Sequence, residues 1–191
     1  MIEPPPTPTD VLAFWFGDVA GDDFRSRKPL WFEPDAAFDA EVRNRFEDVH
    51  FAAARGELSS WRADPRGALA LVIVLDQFPR NMYRGTARAF ATDPQALAVA
   101  REAIDRGFDR QLAPVLRLFL YLPFEHSESL ADQDRSVALF AELGDAETLD
   151  YARRHREIIA RFGRFPHRNA VLGRASTAEE VAFLKEPGSS F

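Results

Sequence analysis

The sequence contains no cysteine among its 191 residues. Disulfide bonds, thiolate catalysis and cysteine-based zinc sites are therefore excluded. Lysine is also scarce, because Lys28 and Lys185 are the only two and every other basic residue except histidine is an arginine. The formal net charge of −6 argues against nucleic acid as a partner, since general binding to nucleic acid requires a strongly basic face.

Long apolar runs are missing as well. The two richest stretches, 69–75 and 116–122, are much shorter than the roughly 20 residues that a membrane-spanning helix requires, so we expect no membrane partner. The chain also starts without the basic region and apolar segment of a secretory signal. With 46% hydrophobic and 28% charged residues, the composition is typical of a folded protein. We therefore expect a soluble, cytoplasmic protein with a single all-helical domain over residues 1–191.

Helical periodicity runs through almost the whole sequence. Apolar residues recur at spacings of three and four, as at Phe38, Val42 and Phe46, and capping carboxylates precede prolines, as at Asp64 and Pro65. Sustained alternation and hairpin turn signals, which are typical of strands, are absent. The pattern predicts an all-α fold of about eight helices with no sheet, and roughly half to two thirds of the residues in α-helix.

The spacing of the predicted helices is similar to that of a helical repeat. Several intervals between helix pairs are near the 34 residues of a tetratricopeptide-type hairpin, although the signature residues of that repeat are not in register. We therefore expect antiparallel helical hairpins packed in a TPR-like arrangement. A mixed helical bundle is the alternative.

Polar residues that carry chemistry concentrate in three segments at predicted helix junctions. Asp76–Thr86 and Gly163–Arg174 both contain Phe-Pro followed by Arg-Asn, and Phe124–Glu128 follows Pro123. We expect the proline to end a helix in each case, because proline lacks the backbone N–H that continues one. The arginine and asparagine side chains then supply hydrogen-bond donors to whatever lies opposite.

Four segments resemble the motifs of one bacterial family, and they follow one another along essentially the whole chain: Val11–Gly17, Leu75–Gly85, Tyr121–Glu128 and Gly163–Asn169. The family is known as domain of unknown function 924 and is grouped with the tetratricopeptide-repeat-like superfamily. The resemblance implies an all-helical, repeat-like fold. It implies no activity, because the function of the family is not established.

Arginines outnumber carboxylates in these segments. The three segments together contain five arginines, three carboxylates and two histidines. Since a buried surplus of positive charge is costly, this composition favours a cationic pocket at the helix junctions that binds a small anionic ligand such as a phosphate or a carboxylate. The predicted ligand-binding residues are Asp76, Gln77, Arg80, Asn81, Arg84, Glu125, His126, Glu128, Arg164, His167, Arg168 and Asn169.

The same residues allow more specific expectations. If the protein is an enzyme, which the sequence leaves open, Glu125, His126 and His167 are the candidates for acid–base work. Asp76 ends an apolar helix, where an unpaired carboxylate is costly, so we expect it to accept a charge-assisted hydrogen bond from Arg164 or Arg168.

Two alternatives stay open beside the anionic ligand. The motif residues can pair with one another and hold helix ends together, which is a purely structural role. A TPR-like adaptor that binds a peptide or a partner protein in a groove is the second alternative.

His155 lies within the basic run Arg153–Arg156, which is typical of a solvated helix face, although the histidine can turn inward.

No cofactor or metal is predicted. Glycine-rich phosphate loops are absent from the sequence. Glu47 and His50 form one Glu-x-x-His pair, whereas a di-iron bundle requires two such pairs and two further carboxylates. The spacing of His126 and His167 is not diagnostic of a metal site.

Overall fold

A computed structural model of the chain describes residues 4–17, 31 and 33–189. Helical conformations account for 72% of these residues, and no β-strand occurs among them. The predicted all-α class is therefore confirmed. The 72% includes 3-10 and π-helical residues, so the share in α-helix is lower and lies within the predicted half to two thirds.

The described α-helices are α1 (Pro8–Phe16), α2 (Ala36–Ala54), α3 (Pro65–Val72), α4 (Phe78–Met82), α5 (Asp93–Asp105), α6 (Pro114–Glu125), α7 (Leu130–Leu143), α8 (Ala146–Phe162) and α9 (Ala178–Phe183). A π-helical segment, Ile73–Gln77, joins α3 directly to α4, so these three form one continuous helix. Short 3-10 helices lie between the longer elements, and one of them, Pro166–Arg168, belongs to the candidate site.

Local capping explains where most of these helices begin. The side chains of Asp35, Asp64 and Asp145 each accept hydrogen bonds from backbone N–H groups in the first turn of the helix that follows. Such caps satisfy donors that have no partner within the helix. Thr7 and Thr177 start α1 and α9 with reciprocal capping boxes.

The prediction that Pro79 ends a helix is wrong. Proline clashes with the carbonyl group four residues earlier, which here belongs to Leu75. The π-helical segment widens the backbone immediately before Pro79, as the N–H of Phe78 donates to the carbonyl of Ile73, five residues back. The freed carbonyl of Leu75 accepts the hydroxyl of Thr92 at 2.5 Å, so the helix passes through the proline.

Pro123 also lies inside a helix, because α6 continues to Glu125. Helical bonding resumes after the proline, where the N–H of His126 donates to the carbonyl of Leu122 at 2.9 Å. Pro166 differs from both, since α8 has already ended at Gly163 in the left-handed conformation, with φ of 68°. At this third site the helix does end before the proline, as predicted.

One compact unit comprises residues 1–84 and 88–120. Within it, α3 packs against α1 and α5, and α2 packs against α4 and the π-helical segment. Its core is rich in aromatic rings, and the centroids of Phe46 and Phe78 lie 4.8 Å apart. Such ring pairs add stability beyond the apolar area that they bury.

A second compact unit comprises residues 85–87 and 121–191. Here α7 and α8 form a helical hairpin joined by a two-residue turn. Ile158, Ile159 and Phe165 form a buried cluster, and Phe162 and Phe183 pack against it.

The wider TPR-like packing and the single domain over residues 1–191 stay predictions. No helix in the described part of the chain is both long enough and apolar enough to cross a membrane.

Candidate functional site

The first of the three polar segments lies partly in the π-helical segment. Three consecutive carbonyl groups, those of residues 74–76, each accept a hydrogen bond from a side chain. The donors are His50 Nδ1 at 3.1 Å, Thr92 Oγ1 at 2.5 Å and Arg80 Nη1 at 2.6 Å. Buried carbonyls without partners are costly, so these side chains hold the widened turn in place. Burial lowers the pKa of His50, which keeps its imidazole neutral.

Asp76 is fully buried in this turn. Its carboxylate accepts a hydrogen bond from Gln77 Nε2 at 2.5 Å and lies 3.3 Å from Arg80 Nη1. Arg80 also binds both oxygens of Asp93, at 2.8 and 2.9 Å. Burial alone lowers the pKa of Arg80, but the charges of Asp76 and Asp93 outweigh it and raise the pKa, so the guanidinium stays charged.

The end of the first segment forms hydrogen bonds with α2. Arg84 binds both carboxylate oxygens of Asp39 at 2.9 Å, and Asn81 Nδ2 donates to the same carboxylate at 2.7 Å. Bidentate pairs of this kind fix orientation as well as distance. Within their own unit, Arg80 and Arg84 therefore hold helices together.

Two arginines of the Gly163–Arg174 segment bind glutamates in the same way. Arg164 binds both oxygens of Glu180 at 2.6 and 2.8 Å, and Arg174 binds both oxygens of Glu128 at 2.7 and 2.9 Å. The hydrogen bonds from Arg164 are the main reason that the pKa of Glu180 falls to about 2. The expectation that Arg164 or Arg168 binds Asp76 stays a prediction.

A cluster of nitrogen-bearing side chains surrounds Phe165, whose side chain is fully buried. The guanidinium carbon of Arg168 lies 4.4 Å from the centre of the Phe165 ring. The rings of His155 and His167 each lie 5.6 Å from the same ring. Arg168 Nη1 donates to the backbone carbonyl of His126 at 3.0 Å, which connects the Phe124–Glu128 segment to this cluster.

Glu125 and His155 form a buried contact at the edge of this cluster. His155 Nδ1 lies 3.3 Å from Glu125 Oε1 and 2.9 Å from the carbonyl oxygen of Tyr151. Because both neighbours are acceptors, Nδ1 carries the proton and donates it. Burial, followed by the positive charges of His126, Arg168 and His167, lowers the pKa of His155 to about 3. The neutral imidazole therefore donates its Nδ1–H to the carbonyl of Tyr151, and Glu125 Oε1 lies beside that hydrogen bond.

A family model matches most of the chain. A family described as "Bacterial protein of unknown function (DUF924)" matches residues 11–188. The chain belongs to this DUF924 family. It is also similar to a solved structure of ATU0120 from Agrobacterium tumefaciens, described as a protein of unknown function, with 48% sequence identity and a TM-score of 0.84. The alignment covers 93% of this chain and 96% of the other. No curated protein matches the chain.

The family resemblance seen in the four sequence motifs is thus confirmed, and the matched range contains every candidate site residue. Its placement in the tetratricopeptide-repeat-like superfamily stays a prediction. The family description carries no ligand, partner or activity, so the anionic ligand and the adaptor role remain predictions as well.

The predicted site residues divide between the two units. Asp76, Gln77, Arg80, Asn81 and Arg84 lie in the first unit, whereas Glu125, His126, Glu128, Arg164, His167, Arg168 and Asn169 lie in the second. A pocket shared by all of them stays a prediction. Across residues 4–17, 31 and 33–189, no group of three or more histidines or carboxylates is arranged to hold a metal ion.

His155 lies beside the candidate site, although it is not among the predicted site residues. It turns inward from the basic run around it and is only 5% exposed. Ala152, Ile158 and Ile159 are buried on the same face of α8, at spacings of three and four from His155. This spacing is the signal that distinguishes His155 from its arginine neighbours.

Proposed function

We propose that the second unit binds a small anion through His126, His167 and Arg168, which we call the cationic cluster. The observation that supports this most is the approach of Arg168 and His167 to the buried ring of Phe165, at 4.4 and 5.6 Å. Two basic side chains next to each other in sequence are thereby held against one apolar ring. Cationic groups gathered beside apolar side chains are stabilised when an anion joins them.

The charges near Phe165 favour an anion when His126 or His167 is protonated. Arg168 carries +1 and Glu125 carries −1 when ionised, whereas His155 is neutral because its pKa is about 3. Protonation of His126 or of His167 then leaves a net positive charge. Histidine titrates near neutral pH when it is unperturbed, so an anion that binds here draws a proton onto an imidazole.

The side chains suit an oxyanion. Guanidinium presents N–H groups in a planar fork that matches the oxygens of a phosphate or a carboxylate, and imidazole adds a further donor. Imidazole and carboxyl groups act as general acids and bases, so His126 and His167, with Glu125, are the groups through which the site would act on its ligand.

A thermal unfolding screen tests the proposed function. We expect phosphate, sulfate, a nucleotide or a small carboxylate to raise the stability of the protein. A ligand that binds only the folded state contributes about 2.7 kcal/mol at one hundred times its Kd. For a chain of this length, that corresponds to a rise in Tm of roughly 5–11 °C.

Variants separate a binding site from a structural role. His167→Ala and Arg168→Ala are expected to abolish the rise in Tm and to keep the helical circular dichroism. Arg156→Ala is the matched control, because Arg156 lies on the neighbouring helix α8 and binds Asp134 in an exposed ion pair. This control is expected to keep the full rise. If no anion stabilises the parent protein, the proposed function is wrong.

A further inference from the structure

We infer that Glu128 and Arg174 are positioning residues, which hold the backbone on both sides of His167 and Arg168 and so orient those side chains toward the anion. The inference rests on the proposed function for its purpose. Sequence reasoning grouped Glu128 with the ligand-binding residues. The contacts of Glu128 and Arg174 favour a different role, in which neither side chain touches the ligand.

The pair holds both polar backbone atoms of Phe165. Glu128 Oε1 accepts the N–H of Phe165 at 2.8 Å, and Arg174 Nη2 donates to the carbonyl of Phe165 at 3.1 Å. The two side chains bind each other at 2.7 and 2.9 Å, so the backbone of Phe165 and the ion pair form one closed set of hydrogen bonds. The backbone at position 165 is thereby fixed.

Arg174 also reaches the other end of the segment. Its Nε donates to Asn169 Oδ1 at 3.0 Å, and Asn169 Nδ2 donates to Ser176 Oγ at 3.0 Å. Asn169 is buried, and the residue is only 1% exposed. One guanidinium therefore fixes positions 165 and 169, which enclose the 3-10 turn Pro166–Arg168. The backbone of the two basic residues inside that turn has little freedom left.

The ionised state of Glu128 supports this role. Burial alone raises the pKa of Glu128, but the hydrogen bonds from Arg174 and from the N–H of Phe165 outweigh it, and the pKa lies below its ordinary value. The carboxylate therefore stays ionised at neutral pH and keeps its ion pair with Arg174. Preorganised side chains bind ligands more tightly because less conformational entropy is lost on binding.

The chain contains a matched control for this pair. Asp39 and Arg84 form a second bidentate pair, with both distances at 2.9 Å, and Asp39 also accepts a hydrogen bond from Asn81 Nδ2 at 2.7 Å. The carboxylate side chains of the two pairs are similarly exposed, at 19% for Asp39 and 29% for Glu128. These three residues belong to the first unit, and the hydrogen bonds named here involve no residue of the segment 165–169. Loss of this second pair therefore removes a similar interaction without freeing the segment.

The experiment compares Glu128→Ala with Asp39→Ala by two measurements. Amide hydrogen exchange of Phe165, His167 and Arg168 is measured without any anion, and the Kd for inorganic phosphate is measured by titration. Glu128→Ala is expected to speed the exchange and to raise the Kd roughly tenfold, similar to the effect of losing a residue that orients a metal ligand. Asp39→Ala is expected to change both by less than about twofold, as sites that share no partners act independently.

Each outcome bears on the inference. Unchanged exchange in Glu128→Ala overturns it, whether or not phosphate binds, and so does an unchanged Kd. Exchange can be faster in Glu128→Ala but not in the control variant, while the parent protein does not bind phosphate. That result supports the positioning role and counts against the proposed function. If Glu128→Ala loses its helical circular dichroism, Glu128→Gln takes its place, because it keeps an oxygen for the N–H of Phe165 and removes the charge.

Discussion

Replacing Asp76 by alanine is expected to lower the free energy of unfolding by about 3–5 kcal/mol, the range found when one partner of a buried ion pair is removed. Asp76 is fully buried, and its carboxylate accepts from Gln77 Nε2 and lies 3.3 Å from Arg80 Nη1. Alanine leaves the amide of Gln77 and one side of Arg80 without this acceptor. A buried donor without a partner costs about 1–3 kcal/mol, and the lost packing adds to that.

Urea unfolding at pH 7 measures this loss, and Asp93→Ala provides the comparison. Asp93 binds the same guanidinium at 2.8 and 2.9 Å, but its side chain is 16% exposed, so water replaces part of what is removed. We expect a clearly smaller loss for Asp93→Ala than for Asp76→Ala. Equal losses, or a loss below about 1 kcal/mol for Asp76→Ala, contradict the role assigned to the buried carboxylate.

The stability of the protein is expected to fall as the pH drops below about 6.5, and His155 is expected to cause much of the fall. Its pKa is about 3 in the folded state, against an ordinary value of 6.5. Between these values the unfolded chain binds a proton at His155 that the folded chain does not. Stability therefore rises with pH in this window, by up to about 1.4 kcal/mol per pH unit for one proton. The contribution is fully present above pH 6.5 and fully lost below pH 3.

His155→Asn isolates this contribution, because asparagine removes the titrating group and keeps a polar donor. Urea unfolding of both proteins at pH 7, 6 and 5 gives the pH dependence of each. Other titrating groups, including buried His50, contribute equally to both and cancel in the difference. From pH 7 to 5, the parent protein is expected to lose about 2 kcal/mol more than the variant. Parallel curves for the two proteins would show that His155 binds its proton equally well in both states.

Local signals in the sequence predicted much of the fold. The capping carboxylates Asp35, Asp64 and Asp145 act within a few residues of themselves, so the helix starts can be read from neighbouring positions. Pro79 shows where local reasoning fails. Its place inside a helix depends on the preceding π-helical turn and on Thr92, whose hydroxyl comes from a different part of the chain. A single sequence does not reveal such a distant partner.

The same limit applies to the candidate site. The composition of the polar segments indicated an excess of arginine, but it did not show which arginines bind carboxylates. The partners of Arg84, Arg164 and Arg174 lie 45, 16 and 46 residues away, respectively. These three arginines therefore bind carboxylates through tertiary contacts, and the proposal rests on the approach of His167 and Arg168 to Phe165.

The anion site is tested most directly by nuclear magnetic resonance of the histidine side chains. Imidazole nitrogen signals of ¹⁵N-labelled protein are followed at pH 7 while inorganic phosphate is added, with sodium chloride of equal ionic strength as the control. Phosphate binding at the cationic cluster predicts saturable shifts of the His126 and His167 signals with phosphate and none with chloride, and loss of the shifts in Arg168→Ala. Signals of His126 and His167 that stay in place throughout the titration, while the parent protein remains folded, would contradict it.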